Sequence, residues 1–203
     1  MSSLRVKETM KKLDYHTPLY KDCIYHIYNR ANGKEKIFFT EENYIYFLKQ
    51  YAKYMGGLVD TFAFCQLSNH FHLLVRIKTD KLKLISEGFR KFFISYSMSI
   101  NKQEKRSGNL FQRNYKRKII EDKKYFLAAV YYIHANPVHH GIVKDFRNYK
   151  YSSYNSLIGD KGTKLKRDEV LELFGGKEQF INYHSEFRKG GLMDNPIIED
   201  DER

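Results

Sequence analysis

Apolar and polar positions along the chain change period from segment to segment, and the period names the element. Cys23 to Arg30 (CIYHIYNR) alternates β-branched and aromatic residues, which predicts a strand, with Asn32-Gly33 as the turn that follows. Thr40 followed by Glu41 and Glu42 is a helix start. Tyr44, Phe47, Leu48 and Tyr51 then recur at helical spacing until Gly56-Gly57 ends the run. Leu58 to Gln66 and His70 to Ile77 are β-rich and separated by a short polar step, so they predict an antiparallel hairpin. Leu82, Ile85, Phe89, Phe92, Phe93 and Tyr96 form a second helical stripe, and Lys118 to Ile120 reads as a short fourth strand. Asp122 to Ala135 predicts a third helix closed by Asn136-Pro137, because the residue before a proline is pushed out of the helical region. A further helix is expected at Arg167 to Phe174, and a Phe/Tyr-containing segment runs on to Phe187.

The order β-α-β-β-α-β-α is that of an α+β, ferredoxin-like split βαβ fold. Helices are expected on one face of the antiparallel sheet, which leaves the other for a ligand. The division expected is an N-terminal arm over 1–20, a main domain over 21–158, and a C-terminal helical appendage with an acidic tail over 159–203.

Composition narrows the class of partner. The 203 residues carry 36 Lys+Arg against 24 Asp+Glu, a formal charge of +12, and 16% of them are aromatic. Such a balance favours a polyanion. The stretch from Asn101 to Lys118 holds seven basic residues and one acid around Phe111 and Tyr115, a mixture of cations and rings suited to single-stranded nucleic acid. Two cysteines cannot build a disulfide scaffold, and no apolar run reaches the length of a membrane span. The expected setting is therefore cytoplasmic.

Two segments carry candidate chemistry. On a strand His70 and His72 point to one face while Phe71, Leu73 and Val75 point to the other, so two imidazoles stand together as a divalent-metal grip would require. Eight histidines make a chance pair unremarkable, and a structural pair is the competing reading. On the third helix Tyr132 and Asn136 are four residues apart and share an edge. A phenol becomes a nucleophile beside a cation, and an amide oxygen suits a hard metal. Equally, Tyr132 reads as a half-buried aromatic and Asn136 as a helix terminator.

Read together, four ordered motifs are similar to a known family. The chain carries His70-Phe-His-Leu-Leu, Gly108-Asn-Leu-Phe-Gln-Arg-Asn-Tyr, Tyr132-Ile-His-Ala-Asn-Pro-Val-His-His-Gly and Tyr151-Ser-Ser-Tyr, preceded by Tyr25-His-Ile-Tyr-Asn-Arg. From about Tyr25 to Tyr154 it resembles the single-tyrosine HUH transposases, and among them the REP-associated tyrosine transposase branch. Ala31 departs from the glycine common there.

The resemblance implies His70, His72 and Asn136 as ligands of Mg²⁺ or Mn²⁺ and Tyr132 as the nucleophile, with Tyr131, Tyr115 and Tyr125 as rivals. It further implies single-stranded or hairpin DNA as substrate, cleaved and rejoined through a 5′-phosphotyrosine. Arg113, Lys116, Arg117 and Lys118 are expected along the DNA backbone, Tyr115 as a stacking ring, and Arg30 on the same surface. A bacterial monomer is expected, with a dimer exchanging the tyrosine helix as the alternative. A non-catalytic single-strand-binding protein on the same fold is the competing function.

Overall fold

The computed structural model describes residues 17–33 and 35–190. The N-terminal arm up to residue 16 and the acidic tail lie outside the described residues. Strand β1 (Ile24–Arg30) is followed by helix α1 (Glu41–Met55), strands β2 (Val59–Leu67) and β3 (His70–Ile77), helix α2 (Leu82–Gln103), strand β4 (Lys116–Ile120) and helix α3 (Lys123–His139). A 3-10 turn at Phe146–Asn148 leads to helices α4 (Tyr154–Ile158), α5 (Arg167–Phe174) and α6 (Lys177–Gly190). All four strands are antiparallel in the order β2-β3-β1-β4, the split βαβ arrangement that the element order implied.

Local sequence explains the ends. The Asn43 side-chain oxygen accepts from the backbone N–H groups of Phe39 and Thr40 at 3.0 and 3.1 Å, which fixes the entry to α1. The Asp122 carboxylate accepts from Tyr125 N–H at 2.7 Å and starts α3. Gly175 adopts φ +90° to close α5, a conformation costly for any residue with a Cβ.

Strand alternation divides the interior in two. Tyr25, Ile27, Phe71, Leu73, Val75 and Ile77 face α1 and α2, where Phe47, Phe89, Phe92 and Tyr96 complete an aromatic cluster. The second face was expected to be open. Instead Phe62, Ala63, Cys65, Leu67 and Leu74 meet α3, and the C-terminal helices pack behind it through Phe146, Tyr154, Val170, Phe174 and Phe180. The appendage is thus part of a second core. Among the described residues no helix is long and apolar enough to cross a membrane.

Three boundaries move. Helix α2 runs on to Gln103 and absorbs the start of the basic stretch, and β4 begins at Lys116 instead of Lys118. Helix α3 continues through Pro137 to His139. A proline lacks only one N–H rung, and the carbonyls of Asn136 and of the proline itself are bonded: His140 N–H reaches Asn136 O at 3.0 Å and Ile142 N–H reaches Pro137 O at 2.8 Å.

The sheet's β2 edge is closed by the Tyr151-Ser-Ser-Tyr segment. Gln66 N–H donates to Tyr151 O at 3.0 Å, Ser153 N–H to Phe64 O at 2.9 Å, and Ser152 forms a bridge with Cys65. The Tyr149 hydroxyl adds a bond to Gln66 O at 2.7 Å.

Candidate active site

Cross-strand register sets the polar part of the second face. Residues directly opposite in an antiparallel pair share a face, and Arg30 lies opposite His70, Tyr28 opposite His72 and Lys116, and His26 opposite Lys118. His26, His70 and His72 are buried with Tyr28 in this patch. The His70 and His72 rings stand perpendicular, with centroids 5.2 Å apart.

Each imidazole is oriented by a second group. His70 Nδ1 lies 2.7 Å from Asn69 Oδ1, and an amide oxygen only accepts, so Nδ1 carries the proton and Nε2 of the neutral ring keeps a lone pair. His72 Nδ1 lies 2.9 Å from His26 Nε2. Donation from His72 to His26 leaves a lone pair on His72 Nε2 as well. Burial pushes His72 well below its ordinary pKa, reinforced by His70, His140 and Arg30, so it is neutral at pH 7.

Helix α3 delivers the remaining groups from above. The Tyr132 ring stands edge-on to His72 and His26, with centroids 5.7 and 5.9 Å away. One turn on, the fully buried Asn136 places Oδ1 3.2 Å from His70 Nε2, while its Nδ2 is buried without a hydrogen bond. His139 flanks the tyrosine at 5.8 Å, and burial lowers its pKa to about 4. Tyr131 points elsewhere, toward His184, Phe146 and Tyr183. Tyr125 sits in the first turn of the helix.

The arrangement suits a divalent cation. As oriented, His70 Nε2 and Asn136 Oδ1 present lone pairs to each other, an arrangement that is unfavourable without a positive charge between them. Adjacent ligands of an octahedral ion with bonds of about 2.1 Å lie about 3.0 Å apart, close to the observed gap. The groups that could hold such an ion are two imidazoles and one amide, and among the described residues no three His, Cys, Asp or Glu side chains gather in a metal-holding group.

The expected DNA-contacting residues separate by face. Arg30, Lys116 and Lys118 share the face of the imidazoles, and Lys116 lies over the Tyr28 ring at 5.6 Å. Arg117 points the other way, donates to Thr17 O at 2.5 Å and to the Tyr115 hydroxyl at 3.2 Å, and caps the Tyr115 ring. Tyr115 packs on Phe89 and Phe93, so its ring is committed to the hydrophobic cluster. Arg113 is exposed on a groove of about 700 Å³ between α2 and the loop before β4, on the side away from the imidazoles. The residues that sequence reasoning missed are His26 and Asn69. Strand alternation places His26 on the right face, yet nothing local in the sequence reveals its partner.

No protein-family profile matches the chain. A curated relative, a putative REP-associated tyrosine transposase of Haemophilus influenzae, is 28% identical over 110 residues, which span 47% of this chain and 59% of that protein. Among solved structures, a REP-associated tyrosine transposase bound to a REP hairpin superposes with a TM-score of 0.61 at 18% identity, covering 71% of this chain and 84% of that one. At that identity the superposition establishes the fold. The chain is thus similar in sequence to part of one such transposase and in fold to another.

Proposed function

We propose that the protein cleaves and rejoins single-stranded, hairpin-bearing DNA, with Tyr132 as nucleophile. The observation that carries this reading is the placement of the Tyr132 ring against His72, with Asn136 Oδ1 beside His70 Nε2 on the same helix edge. His70, His72 and Asn136 would hold a Mg²⁺ or Mn²⁺ ion, which when bound supplies charge neutralisation and polarisation at the scissile phosphate. Arg30, Lys116 and Lys118 line the approach and orient the DNA backbone. The Tyr132 oxygen attacks phosphorus, a tyrosine–phosphorus bond forms, and the bond to the 3′ oxygen breaks. The proton lost by the phenol is matched by the one gained at the released 3′-hydroxyl. Attack by a 3′-hydroxyl on the phosphotyrosine reverses the step and rejoins DNA.

The same chain supplies both imidazoles and phenol, which favours a monomer acting in cis. A hairpin-bearing oligonucleotide incubated with Mg²⁺ should give a denaturation-resistant adduct with the wild type and with Tyr131→Phe. Tyr132→Phe should give none while still binding DNA; an adduct in that variant overturns the assignment. Cleavage with no adduct in the wild type would instead mean activated water. Mn²⁺ titration of the protein alone should lose its saturable site in His72→Ala. Mixing Tyr132→Phe with His72→Ala should restore nothing if action is in cis.

A further inference from the structure

The second core contains a buried polar chain that the proposed chemistry does not use. Ser153, His134 and His184 are each fully buried. His134 Nε2 lies 2.8 Å from Ser153 Oγ, His134 Nδ1 lies 2.9 Å from His184 Nε2, and His184 Nδ1 lies 2.8 Å from Phe180 O. Ser153 Oγ also accepts from Phe64 N–H of β2 at 2.9 Å.

One proton arrangement satisfies every atom. Phe180 O only accepts, so His184 carries its proton on Nδ1, and its Nε2 must accept from His134 Nδ1–H. His134 Nε2 then accepts from the Ser153 hydroxyl. That hydroxyl also lies 3.2 Å from Phe64 O, but this carbonyl already accepts from Ser153 N–H at 2.9 Å, whereas His134 Nε2 has the hydroxyl as its donor at 2.8 Å. The chain therefore runs in one direction from β2 through Ser153 and His134 to α6, with both rings neutral. Burial holds both imidazoles well below their ordinary pKa, His184 at about 4.

Its position links it to the tyrosine. Every residue of α3 from Ala129 to Pro137 is buried, so hydrogen bonds add to its packing a direction that apolar contact alone lacks. His134 lies two residues from both Tyr132 and Asn136, about 200° around the helix and hence on the far side from the imidazoles. Phe64 neighbours Cys65, which pairs directly with His72. A hydrogen-bonded path thus runs from the strand beside one proposed ligand to the helix carrying the nucleophile.

We propose that Ser153, His134 and His184 are positioning residues that set the rotation and height of α3, so that Tyr132 and Asn136 meet His70 and His72. The inference rests on the cleavage reading above. It assigns a task to His134 and to Tyr151-Ser-Ser-Tyr, and it makes α6 a working part of the site.

The test compares His134→Leu, His134→Gln and Ser153→Ala with the wild type in adduct formation at saturating hairpin DNA. His134→Leu should retain fold and DNA affinity but lose rate about 10- to 100-fold, since small misplacement of reacting groups has that effect. His134→Gln, which keeps a donor and an acceptor, should recover most of the rate. If His134→Leu fails to fold, Ser153→Ala, which removes one hydroxyl, should still slow the rate without weakening binding. Nitrogen-15 spectra of the wild type should show Nδ1–H tautomers at both His134 and His184. Folded variants that react at wild-type rate, or Nε2–H tautomers at both rings, overturn the inference and leave the cleavage reading intact. A wild type that forms no adduct removes the cleavage reading itself, and the positioning role with it.

Discussion

Beside α1 and α2 the buried groups are mostly rings and aliphatic chains, with Asn29, Asn43, Gln50 and Gln66 among them, whereas around α3 five buried histidines lie with Asn136, Ser152 and Ser153. Both faces belong to the same four strands, and alternation assigns adjacent residues such as Phe71 and His72 to opposite tasks. The aromatic face gains most of its stability from packing, with few hydrogen bonds to orient. The other face must satisfy each polar atom, and in doing so fixes orientation. Stability and chemistry are thereby carried on separate sides of one sheet and should fail separately.

Removing the proposed nucleophile gives the largest expected effect. Tyr132→Phe should lower strand cleavage by about 10³-fold or more while unfolding near the wild-type midpoint, as adduct assays and thermal melts will show. Phe47→Ala tests the opposite case. Phe47 is fully buried among Phe38, Phe71, Phe92 and Tyr96, and its loss should cost about 3–5 kcal/mol in denaturant unfolding with cleavage per folded molecule unchanged. A Phe47→Ala protein that is stable but inactive would break the separation.

Acid should act on the second face first. His184 stays neutral in the fold down to about pH 4, but the unfolded chain takes up its proton near 6.5. Below about 6.5 the unfolded state binds more protons, so stability falls progressively toward pH 4, by on the order of 3 kcal/mol. Above that range this group contributes no slope. Amide exchange should quicken in α3 and α6 before α1 and α2, and uniform loss of protection would contradict the assignment.

The smallest effect concerns single cations. Lys116→Ala should reduce the salt slope of single-strand binding by about 0.7, as expected for one phosphate contact, whereas Arg117→Ala, on the other face, should leave it unchanged.

What the sequence revealed follows the range of the forces involved. The pairing of His70 with His72 and of Tyr132 with Asn136 depends on local period, and helix α5 occupies the span its pattern predicts, Arg167–Phe174. The His26–His72 bond depends on strand register, which a single segment does not encode. Composition marks the basic, aromatic stretch around Tyr115 and Arg117 without saying which parity faces the imidazoles. The covering of the second face depends on contacts between α3 and helices dozens of residues away, again beyond local pattern.

The two rims of the sheet are guarded in different ways. Along β2 the chain's own Gln66 and Phe64 pair with residues 151–153, and along β4 three successive cations, Lys116, Arg117 and Lys118, stand on the outer strand. Neither rim offers a long neutral ladder to a second copy, so the architecture resists strand-to-strand aggregation even when crowded.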